Sequence, residues 1–306
     1  YEIGTGDWSS DVALPISLTD IRRTLDERGM RPKHALGQNF LVDHNLITRL
    51  VDAAGVGPAE TVLEVGPGTG VLTEALLERG ARVVACELDD ALGDLLEETI
   101  APRYPETFEL IRGDCLATKT RLAPAIVDRL GREPFVHVAN LPYACATPLL
   151  MVLLTGFPAC RGMYVTVQRE VGDRLGASAS DGKVYGQISV VAQWLARVRT
   201  IATLPPACFW PRPEVTSAMI ALERRDASAL EDGRGEPVTP ERRAEVAGVV
   251  AELFRNRRQT IGRTLKRLGA GADVCEGLCV PGDRVEALEI GAVLRLAARL
   301  LPAAMR

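Results

Sequence analysis

The sequence predicts a doubly wound α/β fold, with helices on both faces of a mainly parallel sheet, followed by a smaller all-helical domain. Two observations carry this. From residue 61 onward, short apolar stretches that read as strands alternate with stretches that read as helices, the rhythm of βαβ units. After a polar, Gly- and Pro-containing stretch at 226–240, the strand pattern stops and only helical periodicity remains. A length of 306 residues leaves room for both domains.

Taken in order, residues 1–18 read as a leader without periodicity. Residues 19–29 predict a helix, with Thr19 as N-cap, Ile21 and Leu25 one turn apart, and Gly29 as the stop. The segment RPKHALGQNF then loops into a second helix. TVLEVG (61–66) predicts a strand, followed by a Gly-rich turn and the helix VLTEALLERG. ARVVACELD (81–89), FELIRGD (108–114), FVHVANLPY (135–143) and MYVTVQRE (163–170) predict further strands, with a helix near 121–131. Residues 188–203 and 215–223 are apolar and rich in β-branched side chains, and both are expected to extend the sheet. The domain boundaries that follow are a leader at 1–18, an α/β domain at 19–225, a linker at 226–240 and a helical domain at 241–306.

The composition excludes several classes. At 47% hydrophobic and 25% charged residues the chain is neither disordered nor collagenous. No apolar run approaches a membrane span, and the first residues lack the basic-then-apolar order of a signal peptide. Seven cysteines include no C-x-x-C pair, and His34, His44 and His137 have no ligand spacing, so no metal site is expected. Reduced thiols and a cytoplasmic location fit that usage. The net charge of −4 hides a gradient: residues 1–160 hold 14 basic and 23 acidic side chains, residues 161–306 hold 22 and 17. A polyanionic partner responds to the local field and not to the sum.

The Gly-rich turn reads Glu64-Val65-Gly66-Pro67-Gly68-Thr69-Gly70. Placed between a strand and a helix, it allows close backbone approach to a ligand. Its G-x-G-x-G spacing differs from the G-x-G-x-x-G of dinucleotide binders, and the acid before it suits a cationic ligand. Glu87, closing the second strand, can accept hydrogen bonds from ribose hydroxyls. Asp114, closing the third, can accept from an adenine amine, with Cys115 beside it as a wall of the adenine pocket. An adenosine cofactor without a pyrophosphate requirement fits this set, and S-adenosylmethionine fits best. The sheet is then Rossmann-like and of the S-adenosylmethionine-dependent methyltransferase kind.

Asn140-Leu141-Pro142-Tyr143 ends the fourth strand beside the same crevice. An adenine amine is a poor nucleophile because its lone pair is delocalised. The Asn140 side chain and the Leu141 carbonyl can accept its hydrogens and aim the lone pair at a methyl group. Pro142 stiffens the turn, and Tyr143 offers a ring for base stacking.

With these residues in view, the chain resembles the KsgA-type small-subunit ribosomal RNA adenine N6,N6-dimethyltransferases. The resemblance runs from about residue 19 to the last helices. It is carried by GQNFLVD (37–43), EVGPGTGVLT (64–73), CELD (86–89), GDCL (113–116), NLPY and TP (140–148), VQREVGDRL (167–175), YGQISV (185–190), FWPRPEVTSA (209–218) and FRNRRQTI (254–261). It implies that Asn39, Leu41, Gly66, Gly68, Gly70, Glu87, Leu88, Asp114, Cys115 and Asn140 line an S-adenosylmethionine site. It also implies that Phe209 and Tyr143 sandwich the target base. Two departures stand out: Ala144-Cys145 follows NLPY where the family usually carries N-I, and Gln259 follows Arg257-Arg258 where it usually carries Lys.

The implied partner is small-subunit rRNA, or a precursor small-subunit particle, and the implied state is a monomer. Arg255, Arg257, Arg258, Arg263, Lys266 and Arg267 lie within 254–268, which contains no acidic residue, and predict a phosphate-contacting surface. The alternatives are a large-subunit rRNA dimethyltransferase of the macrolide-resistance type, which shares the Asn-x-Pro-Tyr core, and a non-catalytic nucleic-acid-binding factor on the same fold.

Overall fold

A computed structural model describes residues 18–33, 36–226, 230–231 and 238–301. The leader apart from Leu18, His34 and most of the 226–240 linker lie outside the described residues.

The elements, in chain order, are α1 (Leu18–Glu27), β1 (Phe40–Leu41), α2 (His44–Ala54), β2 (Thr61–Val65), α3 (Val71–Glu78), β3 (Arg82–Glu87), α4 (Asp90–Thr99) and β4 (Phe108–Arg112). They continue with β5 (Leu116–Thr118), β6 (Arg121–Leu122), α5 (Pro124–Leu130), β7 (Phe135–Asn140), α6 (Tyr143–Gly156), β8 (Cys160–Gln168) and α7 (Arg169–Gly176). The remainder are α8 (Gln187–Leu195), β9 (Ala196–Leu204), β10 (Phe209–Trp210), β11 (Ser217–Arg224), α9 (Pro240–Arg255), α10 (Ile261–Arg267) and α11 (Ile290–Leu300).

Seven strands form the central sheet in the order β4-β3-β2-β7-β8-β11-β9. The first five run parallel, and β11 lies antiparallel to both β8 and β9. The chain winds outward from β2 through β3 to β4, then returns to the other side of β2 as β7. That reversal between β2 and β7 is a topological switch point, where an open α/β sheet leaves a crevice at its carboxyl edge.

Period-two alternation buries both faces. Leu63, Val65, Val84, Cys86, Ile220 and Leu222 pack on one side, against α5, α6 and α8. Val62, Val83, Ala85, Val136, Val138, Met219 and Ala221 pack on the other, against α2, α3 and α4. The first cluster extends without a break into Val246, Val250, Leu253, Ile261, Leu265, Val293 and Leu296 of the C-terminal helices. Arg224, at the end of β11, donates to the carbonyls of Leu153, Leu154, Phe157 and Cys160 and so caps the far end of α6.

Three local expectations need correction. Thr19 lies inside α1, which already includes Leu18. The helix near 121–131 starts at Pro124, because Arg121–Leu122 pairs with Leu116–Thr118 in a small hairpin. Residues 188–195 are helical: Ile188, Val190, Val191, Trp194 and Leu195 are all buried, on a helix enclosed all round. An apolar run of that length reads alike for a buried strand and a buried helix. No helix among the described residues is long and apolar enough to cross a membrane.

Candidate functional site

A cavity of about 500 Å³ opens at the carboxyl ends of β2, β3, β4 and β7. Its floor is the turn Gly66–Thr69, which leaves β2 and enters α3. Gly66, Gly68 and Gly70 all hold positive φ. A Cβ on Gly66 would stand 3.0 Å from the Pro142 ring, and one on Gly68 would stand 3.0 Å from the Phe40 ring. The turn is thus pressed between the NLPY element and β1, and its tight approaches at positive φ favour bare backbone. Gly70 does a different job. It does not line the cavity; a Cβ there would strike Leu96 at 2.9 Å, so its bareness lets α3 pack on α4.

Two buried glutamates flank the turn. Glu87 closes β3 at 6% exposure and accepts from the Gly68 N–H at 3.0 Å and the Asp89 N–H at 2.9 Å. Burial raises its pKa, and those two N–H groups oppose the rise. Glu64, at the end of β2, accepts from the Thr73 hydroxyl at 2.7 Å; burial pushes its carboxyl up to about 8 despite that bond, and Glu87 adds to the rise. Leu88 also lines the cavity, yet it is 51% exposed, an apolar side chain held at the rim by the buried Glu87 before it and Asp89 after it. Asp114 lines the opposite wall and accepts from the Leu116 N–H at 2.9 Å, next to Cys115.

The roof is residues 36–41, and Asp89 anchors it. This carboxylate receives Lys33 Nζ at 2.8 Å, Gln38 Nε2 at 2.8 Å and the Ala91 N–H at 3.1 Å. Burial raises its pKa, but the bonds from Lys33 and Gln38 prevail and hold it below the usual carboxylate range. Asn39 and Leu41 both face the cavity.

Asn140, the last residue of β7, donates from Nδ2 to the Asn39 carbonyl at 2.9 Å. Its Nδ2 is therefore committed to the roof, and Oδ1 has no partner among the described residues. Leu141, Pro142 and Tyr143 line the same wall. The Tyr143 hydroxyl hydrogen-bonds Ser217 Oγ at 2.8 Å, which pins the ring to β11; burial raises its pKa and that bond lowers it, leaving a net rise.

These features are a methyltransferase cleft in outline, and the chain's likenesses name its kind. The family model for ribosomal RNA adenine dimethylase matches residues 29–299. The chain belongs to the ribosomal RNA adenine dimethylase family. It is 38% identical over 294 residues to ribosomal RNA small subunit methyltransferase A of Paenarthrobacter aurescens, covering 94% of each chain. To the protein of the same name from Cutibacterium acnes it is 40% identical over 291 residues, covering 92% of this chain and 93% of that one. Among solved structures, a dimethyladenosine transferase from Plasmodium falciparum superposes with a TM-score of 0.64 at 21% identity, covering 83% of this chain and 94% of that one. The 23S rRNA methyltransferase ErmE superposes at 0.60 and 24% identity, covering 86% and 99%. Both structures share the fold.

For this rRNA adenine dimethylase, most of the residues singled out in sequence converge on one cavity: Asn39, Leu41, Gly66, Gly68, Glu87, Leu88, Asp114, Cys115, Asn140, Leu141, Pro142 and Tyr143. Gly70 and Phe209 do not. Phe209 pairs with Leu41 across β1 and β10, and its ring is 4% exposed in the core with Leu41 and Ile47. Strand alternation sends Phe209 inward and Trp210 outward, where it stacks near Phe40 and under Arg22. Phe209 therefore braces the roof strand and forms no face of the cavity. Asp89 was missed as a site residue. The signal was present in CELD and GQNF, but their meeting across 51 residues needs the fold.

The basic stretch is split by its own ion pairs. Arg255 and Arg267 both bind Glu252, and Arg257 binds Glu286 while donating to the Lys183 carbonyl at 2.7 Å. Arg258, Arg263 and Lys266 are exposed, with no ion pair among the described residues.

Proposed function

We propose that this chain transfers methyl groups from S-adenosylmethionine to the N6 amines of two adjacent adenines in a hairpin loop near the 3′ end of small-subunit rRNA. The observation that carries this is the amide of Asn140. With Nδ2 held by Asn39, Oδ1 is left as an acceptor at the cavity wall beside the Leu141 carbonyl.

The residues fit the cofactor. A bare-backbone turn whose added Cβ atoms would collide, a buried carboxylate at the end of β3 and an apolar rim at Leu88 suit a ribose, an adenine and a small charged tail. Gly66, Gly68, Glu87, Leu88, Asp114 and Asn39 would hold it. When bound, S-adenosylmethionine supplies a methyl group on a positively charged sulfur.

The protein's part is positioning and desolvation. Asn140 Oδ1 and the Leu141 carbonyl accept the two N6 hydrogens, which draws the amine toward tetrahedral geometry and frees its lone pair. Tyr143, pinned by Ser217, offers its ring to the extruded base. An unpaired loop adenine costs little to unstack. Once alkylated, the amine is acidic and sheds its proton to water, so no strong base is required.

The region 241–306, helical over much of its described residues, serves as the RNA-contacting domain in this proposal, with Arg258, Arg263 and Lys266 as the available cations. One chain completes the cavity, in keeping with a monomer, and the substrate lies where ribosomes are assembled, in the cytoplasm. Tritiated methyl transfer into undermethylated small subunits, with primer-extension mapping, tests this. Label at two adjacent adenines of the small-subunit RNA is expected. Label confined to large-subunit RNA, or RNA binding with no label, would overturn it.

A further inference from the structure

Thr166, near the end of β8, does not line the cavity. It is 0% exposed, and its hydroxyl has no hydrogen-bond partner among the described residues. A buried hydroxyl left unpaired is costly, and native structures rarely keep one idle. The sheet register shows what stands beside it. In the parallel pair β7–β8 Thr166 is matched with Asn140, and in the antiparallel pair β8–β11 with Met219. Residues matched across a sheet share a face, so Asn140, Thr166 and Met219 form one row. That row lies on the face covered by α2, which brings the apolar Ile47, Leu50 and Val51. Tyr164 and Gln168, the next residues of β8 on the same face, stand two positions away. Asn140 is thus the polar side chain in register with Thr166, and its Oδ1 is likewise without a partner among the described residues.

We propose that Thr166 is a positioning residue for the methyl transfer: its hydroxyl donates to Asn140 Oδ1 and fixes the plane of that amide. The role in transfer rests on the function proposed above; the contact itself does not. Neighbouring strands lie ~4.8 Å apart, and a turn of Thr166 about χ1, from one staggered well to another, swings its hydroxyl toward β7. Donor and acceptor are complementary. A hydroxyl has one proton to give, and a carboxamide oxygen accepts two hydrogen bonds. One lone pair of Oδ1 receives Thr166, and the other is left for an N6 hydrogen. Nδ2 is already committed to the Asn39 carbonyl at 2.9 Å, so the amide is then held at both ends and cannot flip.

The main chain of Thr166 serves the second acceptor. Its carbonyl receives the Leu141 N–H at 3.1 Å and so seats Leu141, whose own carbonyl meets the other N6 hydrogen in the proposed reaction. One buried residue thereby braces both groups that receive the amine, without touching the substrate. Ser217, which pins the Tyr143 hydroxyl, shares a face of β11 with Met219, so the amide and the ring are supported from the same side of the sheet.

The test compares two variants of the full chain: Thr166→Val keeps the shape and removes the hydroxyl, and Thr166→Ser keeps the hydroxyl. Methyl transfer into undermethylated small subunits is measured for each, alone and combined with Asn140→Ala, together with the melting temperature. Thr166→Val should lower kcat ~10-fold, the scale of one lost hydrogen bond at a reacting centre, with KM for S-adenosylmethionine and melting temperature near wild type. Thr166→Ser should restore most of the rate, and Thr166→Val should change little once Asn140 is Ala. Unchanged turnover in Thr166→Val, equal losses in both backgrounds, or a loss that follows a fall in melting temperature and is not restored by Ser would each overturn the proposal. A crystal structure of the full chain reads the contact without RNA. Thr166 Oγ1 within about 3.2 Å of Asn140 Oδ1 is expected, and a hydroxyl bonded elsewhere would overturn the assignment. If the wild-type chain transfers no methyl group, the proposed function falls, and the crystal contact still decides whether Thr166 holds Asn140.

Discussion

The cavity wall and the basic stretch at 254–268 make an instructive pair. Both are dense in suggestive residues, yet the first converges on one site and the second falls apart. At the wall, the residues are set by backbone: Gly66 and Gly68 are squeezed by Pro142 and Phe40, and Glu87 accepts main-chain N–H groups. Such constraints follow from the strand–turn–helix order and leave little freedom. In the basic stretch, three of the six cations are engaged by Glu252 and Glu286: Arg255 meets Glu252 one turn back on α9, while Arg267 reaches Glu252 and Arg257 reaches Glu286 only through the fold. A run of charge therefore counts what a segment carries, and the fold determines what it can offer a partner.

The sharpest way to break this contrast is at Asn140. Asn140→Ala should lower methyl transfer by ~100-fold or more, the scale of losing one preorganised polar group at a reacting centre, while S-adenosylmethionine affinity changes far less. Turnover near wild type would remove Asn140 from the chemistry and leave the wall a binding surface only.

Next in size is the split between two glycines of one motif. Gly68→Ala places a methyl group against Phe40 at positive φ, and cofactor affinity should fall ~10-fold by calorimetry. Gly70→Ala drives its methyl into Leu96 instead, so it should lower the melting temperature with the smaller effect on affinity in the protein that remains folded. Equal losses of affinity in both variants would erase the distinction drawn between them.

In the basic stretch, replacing Arg258 and Arg263 by Ala should weaken RNA binding several-fold. The slope of log affinity against log salt should flatten by roughly 0.7 for each phosphate of a single strand that is no longer neutralised. Arg257→Ala should cost stability in thermal melts, because its guanidinium holds the Lys183 carbonyl and Glu286. A salt slope that responds to Arg257 and ignores Arg258 would invert the assignment.

The smallest effect concerns Glu64. Its carboxyl titrates near 8 when folded and near 4.5 when unfolded, so between those values the folded protein holds a proton that the unfolded chain has released. Stability should therefore decline as pH rises from about 5 to 8, and Glu64→Gln should flatten that decline by on the order of 1 kcal/mol after relaxation and water entry are allowed for. Parallel melting curves for the two proteins across that range would show that Glu64 is ionised throughout.

What could be read from residue order alone were features of short range. Short, nearly continuous apolar runs along β2, β3, β7 and β11 mark strands buried on both faces, and the G-x-G-x-G turn between a strand and a helix favours bare backbone at its centre. Carboxylates at strand ends in a βαβ series must fall at one edge of the sheet, so the cofactor wall follows from topology. The features that escaped are meetings between distant segments. Asp89 became an anchor because Lys33 and Gln38 fold over it. Phe209 moved from the site to the core because β10 pairs with β1 in a register that points it inward. Residues 188–195 became a helix because an apolar run carries the same burial whichever way it coils, and the neighbours α6, α9 and β9 chose. Local conformation answers to nearest neighbours along the chain; pairing, register and charge neutralisation answer to neighbours in space, and those exist only once the sheet has closed.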